Sequence, residues 1–278
     1  MSSEPADVHP LGTELRELAA DLARRAGLMI AAGRRTGAGD VDTKSSATDM
    51  VTEFDRRSEE MIVGEIRTAR PDDGIIGEEG TADSGTSGVH WLIDPIDGTT
   101  NFFYGLAGYN VSIAACDEHG AFAAAVYVPA TNEMFSAERG RGATVNGEPT
   151  RCSTTADLSS ALVATGFSYH ADNRRIQIGR LQHILGEVRD IRRLGAAAAD
   201  LCYVAAGRVD VYFEEHLGPW DLAAGQLIAI ESGCLLGDFS GAPVRPAQVL
   251  ASNPALFEPM QTLIAQADRL AATVRLRG

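Results

Sequence analysis

The chain predicts a mixed α+β fold, and three observations carry that expectation. Apolar residues recur at helical spacing from 13 to 33 and again from 51 to 68, and apolar runs broken by turn residues fill 108 to 148. Beyond them, strand-like and helix-like segments alternate to the end.

The elements follow in order. Leu15, Leu18, Leu22, Ala26 and Met29 keep a three/four spacing after Thr13, so a first amphipathic helix is expected to end at Gly33. Residues 34 to 43 are rich in Gly, Arg and Asp without a period, which predicts a loop delivering Lys44. A second helix is expected over 51 to 68, with Phe54, Met61, Ile62 and Ile66 on its buried face and Pro71 beyond its end. Val89, Trp91, Leu92 and Ile93 make the apolar run of a buried strand, and Pro95, lacking a backbone donor, is expected to end the ladder. Between 108 and 148 the breaks Asp-Glu-His-Gly, Pro-Ala-Thr-Asn and Asn-Gly predict an antiparallel meander. Gly140, Gly142 and Gly147 belong to its hairpins, because Val145 interrupts any dinucleotide-binding pattern. The remainder reads as strand 161–165, helices 171–187 and 196–206, strand 209–213, helix 221–232, strand 247–251 and helix 254–268.

Composition limits the function classes. At 278 residues and 45% hydrophobic content the chain can bury a large core. No apolar run approaches the ~20 residues of a membrane span, and the N-terminus lacks a signal-like apolar stretch, so a cytoplasmic protein is expected. Cys116, Cys152, Cys202 and Cys234 are far apart in sequence and form no Cys-x-x-Cys pair, which predicts reduced, packed thiols. The six histidines lack zinc-type spacing, and neither a serine-hydrolase elbow nor a P-loop string occurs. The arginine pairs 24–25, 34–35, 56–57 and 174–175 are expected on solvated faces. A net charge of −14 argues against direct nucleic-acid binding. It also repels an anionic substrate unless cations stand between.

The chemistry concentrates in Trp91-Leu-Ile-Asp94-Pro-Ile-Asp97-Gly98-Thr99-Thr100-Asn101-Phe102. Asp94 and Asp97 stand three residues apart across a turn, Gly98 permits close backbone approach, and Thr99-Thr100 open a short helix whose N–H groups suit a phosphate oxygen. Asp-Pro and Asp-Gly alone would be ordinary turn dipeptides. The longer string resembles the signature of the inositol monophosphatase family, the magnesium-dependent, lithium-sensitive phosphomonoesterases. Lys44-Ser-Ser-Ala-Thr-Asp-Met-Val-Thr-Glu-Phe-Asp55 and Gly77-Glu78-Glu79 lie upstream. Arg192-Arg-Leu-Gly-Ala-Ala197, Val209-Asp-Val-Tyr-Phe-Glu214 and Pro219-Trp-Asp-Leu-Ala-Ala-Gly225 lie downstream, so the resemblance covers about residues 12 to 270.

The resemblance implies a five-layer αβαβα sandwich of the sugar-phosphatase type, one domain over 11–278 behind a loose N-terminus at 1–10, and a homodimer. It implies direct attack of an activated water on the phosphorus of a small phosphate monoester, with two to three Mg²⁺ ions. Glu78, Asp94 and the carbonyl of Ile96 would hold the first ion, and Asp94, Asp97 and Asp221 the second. A third would sit near Glu78. Thr99, hydrogen-bonded to Asp55, would assist with Glu78 in orienting and deprotonating the water. Gly98 and Thr99 would take the phosphate, while Arg192, Gly195, Ala196, Ala197 and Glu214 line the alcohol side; Lys44 would add charge from its loop. Ala196 departs from the Ser or Thr common in the family, as do Tyr104 from His and Ala107 from Pro, which bears on the alcohol pocket. The signature favours inositol-1-phosphate over histidinol phosphate, adenosine 3′,5′-bisphosphate and fructose-1,6-bisphosphate. A bacterial member associated with the transcription and ribosomal-RNA machinery supplies an alternative, a protein-binding role.

Overall fold

A computed structural model describes the backbone of residues 8–36, 41–43 and 50–275. Helix α1 (Gly12–Thr36) leads to β1 (Val41–Thr43), which pairs antiparallel with β2 (Met50–Thr52) before α2 (Glu53–Ala69). Then come β3 (Gly74–Gly77), β4 (Ala82–Asp83), β5 (His90–Asp97) and the short α3 (Thr99–Tyr104). The expected meander follows as β6 (Asn110–Asp117), β7 (Gly120–Val128), β8 (Glu133–Glu138), β9 (Gly142–Val145) and β10 (Glu148–Pro149). The rest of the chain comprises β11 (Leu162–Thr165), α4 (Ala171–Ile184), β12 (Asp190–Arg192), α5 (Ala197–Ala205) and β13 (Val211–Glu215). It closes with α6 (Pro219–Glu231), β14 (Leu235–Gly237), β15 (Gln248–Ser252) and α7 (Phe257–Arg275).

An eight-stranded sheet runs β10-β9-β8-β7-β6-β5-β3-β4, and a five-stranded sheet runs β12-β11-β13-β15-β14. Their two-residue alternation builds the layers. On β5 to β7, Trp91, Ile93, Ile113, Ala115, Ala125 and Tyr127 share a core with Leu15, Leu22 and Ile30 of α1 and Ile62 and Ile66 of α2. The intervening residues Leu92, Ala114, Ala124 and Val126 share another with α5 and α6. The smaller sheet repeats the device. Tyr212, Val249 and Ala251 join that central core, whereas Val163, Val211, Phe213 and Leu250 pack with Ile184 of α4 and Met260 and Ile264 of α7. The order α1/α2, large sheet, α5/α6, small sheet, α4/α7 is the expected αβαβα sandwich.

Several boundaries differ from expectation for identifiable reasons. Helix α1 passes through Gly33 because that glycine serves packing: a Cβ there would lie 2.0 Å from a Phe54 ring carbon. The expected loop at 34–43 therefore begins as helix and ends as β1, while Lys44 and residues 1–7 lie outside the described residues. Helix α2 begins two residues later than expected, where the Thr52 hydroxyl accepts from Phe54 N–H and Asp55 reaches back to the Thr52 backbone. Pro95 does not end β5. The ladder to β6 shifts register between Asp94 and Asp97, and this bulge accommodates a residue without a donor. Arg34 is not on a solvated face: its guanidinium donates to the carbonyls of Phe102 (2.7 Å) and Phe103 (3.1 Å), capping the C-terminal end of α3.

Candidate active site

A cavity of about 440 Å³ lies where the C-terminal ends of β5 and β13 meet the N-terminal ends of α5 and α6. Asp94 follows Leu92 on the face of β5 turned to the α5/α6 layer, and the bulge brings Asp97 round beside it. Glu78 arrives on the turn after β3, whose Glu78 N–H bonds the Ile93 carbonyl at 3.1 Å. Asp221 occupies the first turn of α6, its Oδ2 accepting from the Gly218 N–H at 2.7 Å, with Pro219 starting the helix. Gly98 has φ 87°, and a Cβ there would lie 2.7 Å from the Gly108 carbonyl oxygen, so both conformation and space require glycine.

These four acids crowd one cavity, Asp94 and Asp97 buried and Glu78 and Asp221 half-buried. Asp94 and Asp97 are buried, and burial drives the Asp94 carboxyl far up, helped by the charges of Glu78, Asp97 and Asp221. Burial likewise raises Asp221 to about 8, with Asp97 and Glu78 adding to it. Asp97 reaches only about 6 because donors oppose its burial. Asn110 Nδ2 gives 2.8 Å to Oδ2, and the α5 N–H groups of Ala198 and Ala197 give 2.8 and 3.1 Å. Asp94 stands within hydrogen-bonding range of both Glu78 and Asp221. Buried carboxyls so placed must share protons or a cation.

Thr99 connects this cluster to α2. Its hydroxyl lies 3.1 Å from Asp55 Oδ1 and 3.0 Å from the Ile96 carbonyl, while the other Asp55 oxygen accepts from the Thr52 N–H at 2.8 Å and hydroxyl at 2.5 Å. Asn101 ties the α3 segment to the opposite wall, donating to the carbonyls of Gly108 (2.6 Å) and Leu194 (2.7 Å). On that wall Glu214 accepts from the Tyr212 hydroxyl at 2.7 Å and is pushed up to about 7, chiefly by burial. Gly166 lets it lie there, since a Cβ would sit 2.0 Å from Glu214 Oε1.

The cavity gathers Glu78, Asp94, Ile96, Asp97, Gly98, Thr99, Gly195, Ala196, Ala197, Glu214 and Asp221, with Asp55 behind Thr99. Arg192 is not brought to it. Its guanidinium turns outward to Asp190 at 2.6 Å, and Arg193 lines the cavity instead, as alternation of neighbours near a strand end dictates. Sequence reasoning also missed Ser168, His170, Asn173 and His216 on the rim, the last at φ 68°. It missed Asp200 of α5, fully buried, with neither carboxyl oxygen partnered and its pKa well above the ordinary value, first through burial and then through Glu214. An aspartate in an alanine-rich helical run carries no visible mark of that environment.

A family model described as the inositol monophosphatase family matches residues 12–272. The chain belongs to the inositol monophosphatase family. Among its relatives, "Nus factor SuhB" of Salmonella typhimurium is 40% identical over 257 residues, 91% of this chain and 95% of that protein. An "Inositol-1-monophosphatase" of Rhizobium meliloti is 39% identical over 220 residues, 78% of this chain and 83% of that one. The crystal structure of the extragenic suppressor protein suhB from Bartonella henselae superimposes with a TM-score of 0.86 at 33% identity, covering 90% of this chain and 98% of that one. Among the described residues, no three His, Cys, Asp or Glu side chains stand grouped tightly enough to hold an ion as placed. The donor chemistry of this family member nonetheless fits a hard divalent cation: four acids around one cavity, three of them raised by burial and by one another's charge.

Proposed function

We propose that this family member hydrolyses a small phosphate monoester in a Mg²⁺-dependent reaction, with inositol-1-phosphate the preferred substrate. The observation that supports it best is the cluster of buried Asp94 and Asp97 with half-buried Asp221 and Glu78 beside the Gly98-Thr99 helix start. Glu78, Asp94, Asp97, Asp221 and the Ile96 carbonyl would hold two to three ions, which supply charge neutralisation and a lowered pKa for water. The chain's own groups do the rest. Backbone N–H groups of Gly98 and Thr99 orient the phosphate, and the hydroxyl of Thr99, donating to Asp55, presents its lone pair to the attacking water. Glu214 receives hydroxyls of the departing alcohol, and Ala196 and Ala197 shape its floor.

Phosphate release with Mg²⁺, measured over inositol-1-phosphate, histidinol phosphate, adenosine 3′,5′-bisphosphate and fructose-1,6-bisphosphate, tests the reading. The first should give the highest kcat/KM. Because a hydroxyl contact is made equally in ground and transition states, Glu214→Ala should raise KM for inositol-1-phosphate several-fold and spare p-nitrophenyl phosphate. Equal losses on both would return Glu214 to scaffolding.

The name Nus factor carried by relatives 40% identical supports a second reading, a protein-binding role in transcription. Pull-down of RNA polymerase or antitermination factors, retained by Asp94→Asn, would support it, and absence of capture would remove it.

A further inference from the structure

Helix α2 carries a buried polar stripe. Asp55, Ser58 and Glu59, spaced to share one helix face, are at most 4% exposed, and each addresses a different segment of the site. Asp55 takes Thr99, Ser58 donates to the Pro95 carbonyl at 3.2 Å, and Glu59 takes the turn that bears Glu78. Glu59 Oε2 accepts from the Glu79 N–H at 2.8 Å, and Oε1 accepts from the Thr81 N–H at 3.1 Å and its hydroxyl at 2.6 Å. The approach depends on Gly77, where a Cβ would stand 2.3 Å from Glu59 Oε2. Glu78 is thus held from both sides: its own N–H bonds the Ile93 carbonyl, and the next N–H bonds Glu59.

We infer that Glu59 is a positioning residue for Glu78, fixing the 78–81 turn so that the Glu78 carboxylate is presented to the cavity. A loop anchored only at its strand end could rotate the Glu78–Glu79 peptide and swing that carboxylate away. Glu59 prevents this through a charge-assisted bond to the N–H adjoining Glu78. The inference rests on the reading of Glu78 as an ion ligand. Groups that orient ligands in this way govern metal affinity more than turnover once the site is loaded.

Glu59→Gln conserves shape but replaces one acceptor with an amide that opposes a backbone N–H. Calorimetric Mg²⁺ titration should then show affinity about tenfold weaker, while kcat at saturating Mg²⁺ stays within several-fold of wild type. Hydrogen exchange at the Glu79 and Thr81 amides should quicken. Faster exchange with unchanged Mg²⁺ affinity would overturn the inference and leave Glu59 a loop tie. Glu59→Asp, which keeps the charge but withdraws the carboxylate from the Glu79 N–H by one methylene, repeats the test if Glu59→Gln fails to fold, and unchanged affinity there overturns it equally. Glu78→Gln separates the two levels. If it binds Mg²⁺ as wild type does, the ligand reading falls and the inference with it. If it binds weakly while Glu59→Gln does not, the positioning role alone falls. A Glu59→Gln/Glu78→Gln double variant should bind no worse than Glu78→Gln.

Discussion

Asp94 is the residue on which most of the site's electrostatics converge, since burial and three neighbouring acids all drive its carboxyl up. Asp94→Asn keeps the acceptor for the Ile96 N–H, which lies 3.0 Å from Oδ1, and removes one buried ionisable group. Turnover should fall by about 10³, equivalent to about 4 kcal/mol, while the metal-free melting temperature holds or rises. Near wild-type kcat at saturating Mg²⁺ would end the assignment of Asp94 as a bridging ligand. The two tryptophans give a second test at this scale. Both neighbour acidic site residues in sequence, but Trp91 points into the α1/α2 core and donates to Asp73 at 3.0 Å, whereas Trp220 lines the cavity. Mg²⁺ should therefore change the fluorescence of wild type and Trp91→Phe alike, and Trp220→Phe should be silent; a signal lost in Trp91→Phe would contradict this placement. Sequence made Asp94 and Asp97 legible because carboxylates around a Gly turn are a chemical pattern, whereas Glu78 and Asp221 were legible only through family resemblance. It named Arg192 where Arg193 lines the cavity, since the two are adjacent and chemically identical and only the strand's phase decides which one enters.

At the scale of elements, the long periodic segments were readable and several of the short ones were not. Helices α1 and α2 and the meander strands present enough residues for a period to show, whereas β3, β12 and β14 span four residues or fewer and look like loop. Gly33 shows how a single residue type supports two readings. Glycine stops helices, but here it makes room for Phe54, whose ring packs edge-on against Phe102 with centroids 5.6 Å apart and so braces α3. Gly33→Ala accordingly sets two effects against each other. Alanine gains about 1 kcal/mol in helix propensity, and overpacking costs about 1–3 kcal/mol where the neighbour is a rigid, buried ring. Packing should win, so thermal melting should drop by a few degrees; a rise would mean that Phe54 repacks without strain. The same contact predicts some loss of activity, since α3 begins at Thr99.

For the whole molecule, five layers leave one place where several chain segments end together, and acids collect there. The layers themselves were legible only through family resemblance, because periodicity reports which face of an element is apolar and not which element covers it. The collected charge should govern how stability depends on pH. Asp97, Glu214 and Asp221 lie at about 6, about 7 and about 8, all above ordinary carboxylates, with burial the largest cause each time. A raised carboxyl means that the folded, metal-free chain keeps protons which the unfolded chain has released. Its contribution is then complete below the unfolded values of 3.8 for Asp and 4.5 for Glu, and it is lost as pH rises through the folded values. For Glu214 alone the loss is on the order of 3 kcal/mol. The carboxyls held low by arginines, such as Asp73 beside Arg70 and Asp117 beside Arg139, act in the opposite sense but only in acid, outside this window. In chelator, therefore, the melting temperature should fall steadily from about pH 5 to about pH 8.5. Bound Mg²⁺ would replace the shared protons and bind better as they leave, so saturating Mg²⁺ should flatten or reverse the slope. Differential scanning fluorimetry across that range, with and without Mg²⁺, measures both limbs. A metal-free melting temperature that stays level or climbs would show that the acids ionise without penalty and that the cluster is not the buried, cation-seeking group described above.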